Sequence, residues 1–317
     1  MSIGILYLIF GSAMLFYGAD FMVRGGSQVA KRFGLSPIVI GLTVVAFGTS
    51  LPELVVSIAA AAEGSSPIAI GNVVGSNIAN VGLVLGLSSL IFPLKINLGQ
   101  IKKDLIIYLA VCLLFTTFCM DGSVTRLEGL ILFLCVIMYT LYSFSTSSNK
   151  NNPEESHSEN IPNSLVSYAL IISGIALLSF GANLFVTGAI DIARYFGITE
   201  IVIGMTIVAL GTSLPELATS IIASFRKEHA ISIGNIIGSN LFNLLSVIGI
   251  ASLVTPIESP KEILFFEIPY MIFYGIILFP IGMMKQPIHR ITSIPVSYTH
   301  LRAHETDSYL VCRLLLE

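Results

Sequence analysis

The chain has 317 residues and a formal net charge of −3, with 54% hydrophobic and only 11% charged residues. Soluble domains average about 25% charged residues, so this composition excludes a soluble globular protein with a water-exposed surface of ordinary size. The small net charge gives no indication of a nucleic-acid partner. The composition instead predicts an all-α membrane protein.

Apolar stretches of the length needed to cross a bilayer, which is roughly 20 helical residues, occur nine times. They predict helices at residues 3–23, 37–62, 66–92, 104–121, 126–145, 165–187, 200–224, 229–254 and 264–284. The N-terminal stretch lacks a basic leader and is interpreted as a first membrane helix rather than a removable signal. The polar run from Ser145 to Asn163 is typical of a solvated linker. These features divide the chain into a first half at 1–145, a linker at 146–163 and a second half at 164–295.

A tenth helix is expected to complete the second half, and the sequence does not contain it. After Pro295 the chain becomes polar and basic, out of character with everything before it. Residues 296–317 resemble the translation of an adapter used in sequencing libraries. We interpret them as a non-native tail, the alternative being an ordinary polar tail. Their histidines and cysteine are therefore not considered as metal ligands.

An internal repeat relates the two halves. The segment Gly48–Glu53, Gly-Thr-Ser-Leu-Pro-Glu, returns letter for letter as Gly211–Glu216, an offset of 163 residues. At this offset 26 of the 47 positions in Gly34–Asn80 match their partners in Gly197–Asn243 without a gap. Such agreement indicates a duplication. Because five crossings make the second copy enter from the opposite side, the sequence predicts two inverted five-helix repeats.

The basic residues predict the orientation. With the N-terminus outside, the cytoplasmic loops contain eleven lysines and arginines and the outer loops contain three. The positive-inside rule therefore favours an outside N-terminus and a cytoplasmic linker. The cytoplasmic set is Arg24, Lys31, Arg32, Lys95, Lys102, Lys103, Lys150, Arg226, Lys227, Lys285 and Arg290, and the outer set is Arg126, Arg194 and Lys261.

Each copy of the repeated motif places oxygen atoms within an apolar segment. Pro52 and Pro215 have no N–H, so each releases the carbonyl of the glycine four residues earlier. The Thr-Ser pair adds hydroxyls, and Glu53 and Glu216 add carboxylates. Hard cations such as Ca2+ bind six to eight oxygens of these kinds. Proline kinks and packed hydroxyls are common in membrane helices, but an identical repeat with a costly buried glutamate in each copy favours a cation site.

A second shared element follows each motif, as Gly71–Asn80 and as Gly234–Asn243. Spacings of three and four place Ser76, Asn77 and Asn80 on one helix face. The glycines allow close helix approach, which is a packing role. Lipid offers no hydrogen-bond partner for serine or asparagine, so this face is predicted to line a polar interior.

The paired segments resemble the alpha repeats of the calcium/cation antiporter superfamily, in particular its prokaryotic sodium/calcium exchanger branch. The resemblance covers about residues 1–295 and implies two inverted five-helix halves around four cation sites near the membrane midplane. It implies that Glu53 and Glu216 are the main Ca2+ ligands and also contact Na+. The other implied ligands are the hydroxyls of Thr49, Ser50, Thr212, Ser213, Ser76 and Ser239 and the carbonyls of Ala46 and Ala209.

Asn80 and Asn243 occupy the remaining polar positions of the central site, where some members of the superfamily carry aspartate. Two neutral amides leave the site with two negative charges, enough to balance one Ca2+ or two Na+. This departure argues against K+ co-transport, since the branch that uses K+ relies on an extra acid there. The Thr-Ser pair favours Na+ coupling, because the proton-coupled branch usually has Asn-Ala at those positions.

The resemblance implies a secondary active antiporter that exchanges Na+ for Ca2+ across the inner membrane by alternating access. The helices at 3–23 and 165–187 would slide past a fixed core. Such a protein needs its two ions and a lipid bilayer, with no cofactor and no obligate protein partner. Three alternatives are an H+-coupled cation antiporter on the same fold, a cation channel and an intramembrane enzyme. The enzyme is disfavoured because the interiors of the predicted spans contain no histidine and no Ser–Lys pair.

Overall fold

A computed structural model describes residues 2–94, 96–148, 164–199, 203, 206–207 and 209–283. Most of these residues are helical. The helices are α1 (Ser2–Phe33), α2 (Pro37–Thr49), α3 (Leu51–Ala62), α4 (Ser66–Ile91), α5 (Leu98–Cys119), α6 (Arg126–Ser148), α7 (Ser164–Tyr195), α8 (Leu214–Phe225), α9 (His229–Val254) and α10 (Ile263–Met283). The position of the expected tenth helix, the tail at 296–317 and residues 149–163 of the predicted linker lie outside the described residues.

The described helices confirm an all-α membrane protein. Six of them are long and apolar enough to cross a membrane, and α2 with α3 adds a seventh if this pair, bent by 45°, counts as one span. Two predicted spans fall outside that count. α5 carries Lys102, Lys103 and Asp104 near its N-terminus, and α8 is a helix of only 12 residues.

Two helices run well past the ends predicted from hydropathy. α1 ends at Phe33 instead of residue 23, and α7 ends at Tyr195 instead of residue 187. Charged residues end an apolar stretch, but they do not end a helix, whose hydrogen bonds continue outside the lipid. Gly34 and Gly197 follow these ends with left-handed φ angles of 62° and 73°, a conformation that closes a helix and that glycine adopts without strain.

α1 and α7 pack against each other along much of their lengths through glycines. A Cβ at Gly188 would lie 2.6 Å from the carbonyl oxygen of Gly4, and one at Gly18 would lie 3.0 Å from that of Gly174. An early residue of α1 thus meets a late residue of α7, so the two helices are antiparallel. Inverted repeats require this orientation, because α1 and α7 occupy equivalent places in the two halves.

α4 and α9 form the buried centre of the molecule. Within their membrane windows 72% of α4 and 89% of α9 is buried, against 28–33% for the outer helices. α9 packs closely on α2, where a Cβ at Gly238 would lie 2.5 Å from the carbonyl oxygen of Leu42. The second shared element therefore lies at the core.

Contacts at the ends of the helices tie distant parts of the chain together. Strand β1 (Ser123–Val124) pairs antiparallel with β2 (Ile257–Glu258), which joins the α5–α6 loop to the α9–α10 loop. Both loops therefore lie on one side of the membrane, and the predicted topology also places them on the same side.

A second set of contacts joins α1 to the turn between α8 and α9. Asp20 is buried, and it pairs with Arg24 at 2.9 Å and with Arg226, which follows α8. Ser27 donates a hydrogen bond to Glu228 at 2.8 Å. An ion pair and a hydrogen bond to a carboxylate thus hold this end of α1 against the core.

The glycine contacts between α1 and α7 predict a position-specific effect on stability. A Cβ at Gly11 would lie 2.6 Å from the backbone nitrogen of Phe185, so Gly11→Leu should destabilise the protein by about 1–3 kcal/mol through overpacking. The neighbouring Ser12 is exposed, and Ser12→Leu should leave stability nearly unchanged. Thermal unfolding of both variants in detergent tests this, and equal melting temperatures would contradict the packing.

Candidate functional site

The two copies of the repeated motif fold into breaks between helices. Ser50 separates α2 from α3 with φ −83° and ψ 6°, and Ser213 precedes α8 with φ −85° and ψ 2°. Pro52 and Pro215 lie in the first turns of α3 and α8, where a missing N–H costs nothing. The prolines therefore begin new helices, although the sequence suggested that they interrupt continuous ones.

Each break brings a glutamate to the start of a helix. Glu53 lies in the first turn of α3 and Glu216 in the first turn of α8, where the helix dipole favours negative charge. Both residues are 0% exposed, and they lie close enough to repel each other electrostatically. The structure thus brings together two carboxylates that are 163 residues apart in the sequence.

The surroundings of Glu53 come from both halves of the chain. The hydroxyls of Thr212, from the other motif copy, and Ser76, from α4, lie beside this carboxylate. Neither Glu53 oxygen accepts a hydrogen bond from a described residue. The Glu53 side of the site is therefore polar, but its negative charge is not satisfied by donors.

The equivalent neighbours surround Glu216 and hold it more tightly. Thr49 and Ser239 lie beside this carboxylate, and Ser50 donates a hydrogen bond to its Oε1 at 3.2 Å. The Thr49 hydroxyl lies 3.2 Å from that of Ser239 and 3.0 Å from Oδ1 of Asn235. Each glutamate thus faces the threonine of the other motif copy.

The two sides of the site are not equivalent. Thr49 is fully buried, whereas Thr212 is partly exposed. Ser50 bonds to Glu216, whereas the Ser213 hydroxyl has no partner among the described residues. The hydroxyls of the first motif, Thr49 and Ser50, are therefore buried and hydrogen-bonded. In the second motif, Thr212 is partly exposed and Ser213 lacks a partner among the described residues.

Several predicted ligand residues have buried oxygens without a hydrogen-bond partner. Among the described residues, six of the twelve buried side-chain polar atoms that lack a partner belong to this set: Oε1 and Oε2 of Glu53, Oε2 of Glu216, Oγ of Ser213, Oδ1 of Asn80 and Oδ1 of Asn243. Leaving a buried polar atom unsatisfied costs about 1–3 kcal/mol, and more for a charged one. Carboxylate, hydroxyl and amide oxygens together are the ligand set of a hard cation. No group of three or more His, Cys, Asp and Glu side chains suited to a metal occurs in the described part of the chain.

Ala46 and Ala209, whose carbonyls are predicted ligands, lie in different local structures. The Ala46 carbonyl accepts hydrogen bonds from the Ser50 N–H at 3.0 Å and the Thr49 hydroxyl at 3.2 Å. The Thr49 hydroxyl has one proton, which it can donate either to this carbonyl or to Oδ1 of Asn235. A lone pair of the Ala46 carbonyl is therefore open to a cation when that proton is directed to Asn235. Ala209 lies in the three-residue helix Ala209–Gly211, directly before the second break.

Two further asparagines, which the sequence analysis did not include among the ligands, support the glutamates. Asn72 donates to the carbonyl of Glu53 and Asn235 donates to the carbonyl of Glu216, both at 3.3 Å. Asn72 also accepts a hydrogen bond from Thr212 at 3.4 Å. They hold the first turns of α3 and α8 against α4 and α9. The sequence contains a signal for their role, because Asn72 and Asn235 recur at the offset of 163 residues within apolar segments.

These contacts predict that Asn235→Leu weakens both the fold and the site. The variant leaves the Glu216 carbonyl without this donor, which should cost roughly 1–3 kcal/mol of stability, and it should reduce stabilisation by added Ca2+. Thermal unfolding in detergent with and without Ca2+ measures both effects. The exposed Gln100 provides a control, Gln100→Leu. A variant with wild-type stability and Ca2+ response would argue against this supporting role.

A multi-pass helical protein with two buried carboxylates surrounded by neutral oxygens has the architecture of an ion transporter. Comparison with known proteins defines the family. The family model described as sodium/calcium exchanger protein matches residues 3–145 and 166–294. The chain therefore belongs to the sodium/calcium exchanger protein family.

Individual relatives agree with this assignment. The chain is 34% identical to the sodium/calcium exchanger MaX1 of Methanosarcina acetivorans, with 88% of this chain and 91% of the relative covered. It is 35% identical to the inner membrane protein YrbG of Escherichia coli, over 79% of this chain and 80% of that protein. A solved structure of the sodium-calcium exchanger NCX_Mj superposes with a TM-score of 0.81 and 33% identity, covering 95% of this chain and 97% of that one.

Family membership confirms the family that the paired motifs indicated. The protein is a multi-pass membrane antiporter of cations that include Ca2+, and it is not an enzyme. The interpretation as an intramembrane enzyme is thereby excluded.

Proposed function

We propose that the protein exchanges Na+ for Ca2+ across the inner membrane by alternating access. The observation that carries this proposal is the pair of fully buried carboxylates, Glu53 and Glu216, with three of their four oxygens lacking hydrogen-bond partners among the described residues. Two buried negative charges with neutral oxygens around them are costly, and a bound cation or a proton offsets that cost. Their total charge balances one Ca2+ or two Na+.

The ligands are drawn from both halves, 1–145 and 164–295, as two inverted repeats. Glu53 and Glu216 bind Ca2+ and also contact Na+. The neutral oxygens are those of Thr49, Ser50, Thr212, Ser213, Ser76, Ser239, Asn80 and Asn243, with the carbonyls of Ala46 and Ala209. No cofactor and no obligate protein partner are needed, because the site is built by the chain itself.

Competition for the same carboxylates couples the two ions. Ca2+ and Na+ compete for Glu53 and Glu216, so the site does not bind a full complement of both ions at once. An ion-free site would bury two uncompensated charges, and closure around it is therefore disfavoured. This cost prevents the transporter from switching sides empty, and an uncoupled leak is avoided.

The packing supports a division into a moving pair and a core. α1 and α7 contact each other backbone to backbone through glycines, which suits a pair that moves as one body. With the N-terminus outside, the contacts of Asp20 with Arg226 and of Ser27 with Glu228 lie on the cytoplasmic side. They hold α1 closed there and must separate when the site opens to the cytoplasm.

Replacing one carboxylate should abolish Ca2+ transport. Glu53→Gln keeps the size of the side chain but removes one of the two charges that balance Ca2+, so Ca2+ uptake into Na+-loaded proteoliposomes should fall to background. Glu63→Gln makes the same change at an exposed position at the end of α3, and it should transport at wild-type rates. Normal uptake by Glu53→Gln would defeat the assignment.

The coupling ion is tested with purified protein and separate gradients. An outward-directed Na+ gradient alone should drive 45Ca2+ uptake, and a K+ gradient should not, because the site contains no third acid. Uptake driven by a pH gradient without Na+ would instead identify the H+-coupled antiporter that the same two carboxylates would also permit. Single-channel currents in planar bilayers would identify a channel.

A further inference from the structure

Four asparagines form a reciprocal hydrogen-bonded cluster where α4 meets α9. Nδ2 of Asn80 donates to Oδ1 of Asn240 at 3.0 Å, and Nδ2 of Asn243 donates to Oδ1 of Asn77 at 3.1 Å. Asn77 and Asn240 in turn donate to each other's backbone carbonyls, at 3.1 and 3.3 Å. All four residues are 0% exposed. Every bond crosses between the two halves of the chain.

The cluster determines which way each amide faces. Turning the Asn80 amide over would place its oxygen against the oxygen of Asn240, and turning Asn243 would do the same against Asn77. Two acceptors facing each other in a buried site repel and leave both unsatisfied. The observed arrangement therefore directs the N–H groups of Asn80 and Asn243 towards the opposite helix. Their Oδ1 atoms are left without a partner among the described residues.

The helices place Asn80 and Asn243 on the faces that also carry the serines beside the carboxylates. Ser76 lies beside Glu53 and Ser239 lies beside Glu216, and Asn80 and Asn243 follow these serines by four residues, on the same helix face. A wide π-helical turn begins at each of the two asparagines, at Asn80–Leu85 and at Asn243–Val247. Such turns are frequent at functional sites in membrane and soluble helices.

Other helices surround Asn77 and Asn240. Tyr108 of α5 lies beside Asn240, and the sulfur of Met271 of α10 lies 3.6 Å from Nδ2 of Asn77. Both side chains are almost completely buried. Each polar atom of the Asn77 and Asn240 side chains thus has a hydrogen-bond partner within the protein.

We propose that Asn77 and Asn240 are positioning residues that fix the amide oxygens of Asn243 and Asn80 towards the transported cation. The inference rests on the proposed function, because it assumes that the cation binds between the two glutamates. Without the acceptor on the opposite helix, each amide can rotate and present its N–H edge to the ion. The cluster also requires a donor at positions 80 and 243, which leaves Glu53 and Glu216 as the charges of the site.

A double-mutant cycle in Ca2+ binding tests the proposal. Asn240→Leu should lower Ca2+ affinity about tenfold, within the range typical for loss of a group that orients a metal ligand. If Asn240 acts through Asn80, the double variant Asn80→Ala/Asn240→Leu should bind Ca2+ no more weakly than Asn80→Ala alone. Affinities are measured by calorimetry on the purified full chain in detergent, with Ca2+ as the only added ligand.

The controls separate positioning from general destabilisation. Leu241→Ala removes a neighbouring, fully buried core side chain, and it should lower the melting temperature with little change in Ca2+ affinity. If Asn240→Leu does not fold, the mirror pair Asn77→Leu and Asn243→Ala provides the same cycle. Additive losses in the double variant, or an unchanged affinity in the single ones, would overturn the proposal. Absence of Ca2+ binding by the wild type would instead reject the proposed function.

Discussion

Two carboxylates held near each other in the interior of a membrane protein are the constraint around which the molecule is organised. Glu53 and Glu216 are fully buried and repel each other, and removing two charges from water is expensive even when donors are available. The protein supplies part of the compensation. Each glutamate lies in the first turn of a helix, where the dipole favours a negative charge. In the proposed function a bound cation supplies the remaining compensation.

Each half of the chain contributes side chains that surround the glutamate of the other half. Thr212 and Ser76 lie beside Glu53, and Thr49 and Ser239 lie beside Glu216, so each carboxylate meets groups from both motif copies. The asparagines of α4 and α9 follow the same rule. Neither half contains a complete site, which explains why the motif is needed twice. Substitutions in one half should therefore be felt on the other side of the site.

The two motif copies differ in their contacts and burial, and this difference bears on the transport mechanism. Ser50 is bonded to Glu216, whereas Ser213 lacks a partner among the described residues, and Thr49 is buried where Thr212 is partly exposed. Because the six motif residues are identical in both copies, this difference arises from their surroundings and conformation rather than from the motif itself. In the proposed alternating-access mechanism the site opens to one side of the membrane at a time, and such a difference between the two copies is expected.

The sequence by itself determined the membrane class, the internal repeat and most of the helical segments, and it indicated the residues that carry oxygen into the membrane. Hydropathy and an identical repeat are local features, so they can be read without knowing how the helices pack. Helix ends such as Phe33, the break at Ser50 and the role of Pro52 were decided by backbone hydrogen bonds that hydropathy does not report. Only the tertiary structure showed that Glu53 meets Glu216 and that Asn77 bonds to Asn243. These contacts join helices far apart in the chain, and their geometry depends on how closely glycines let the helices approach.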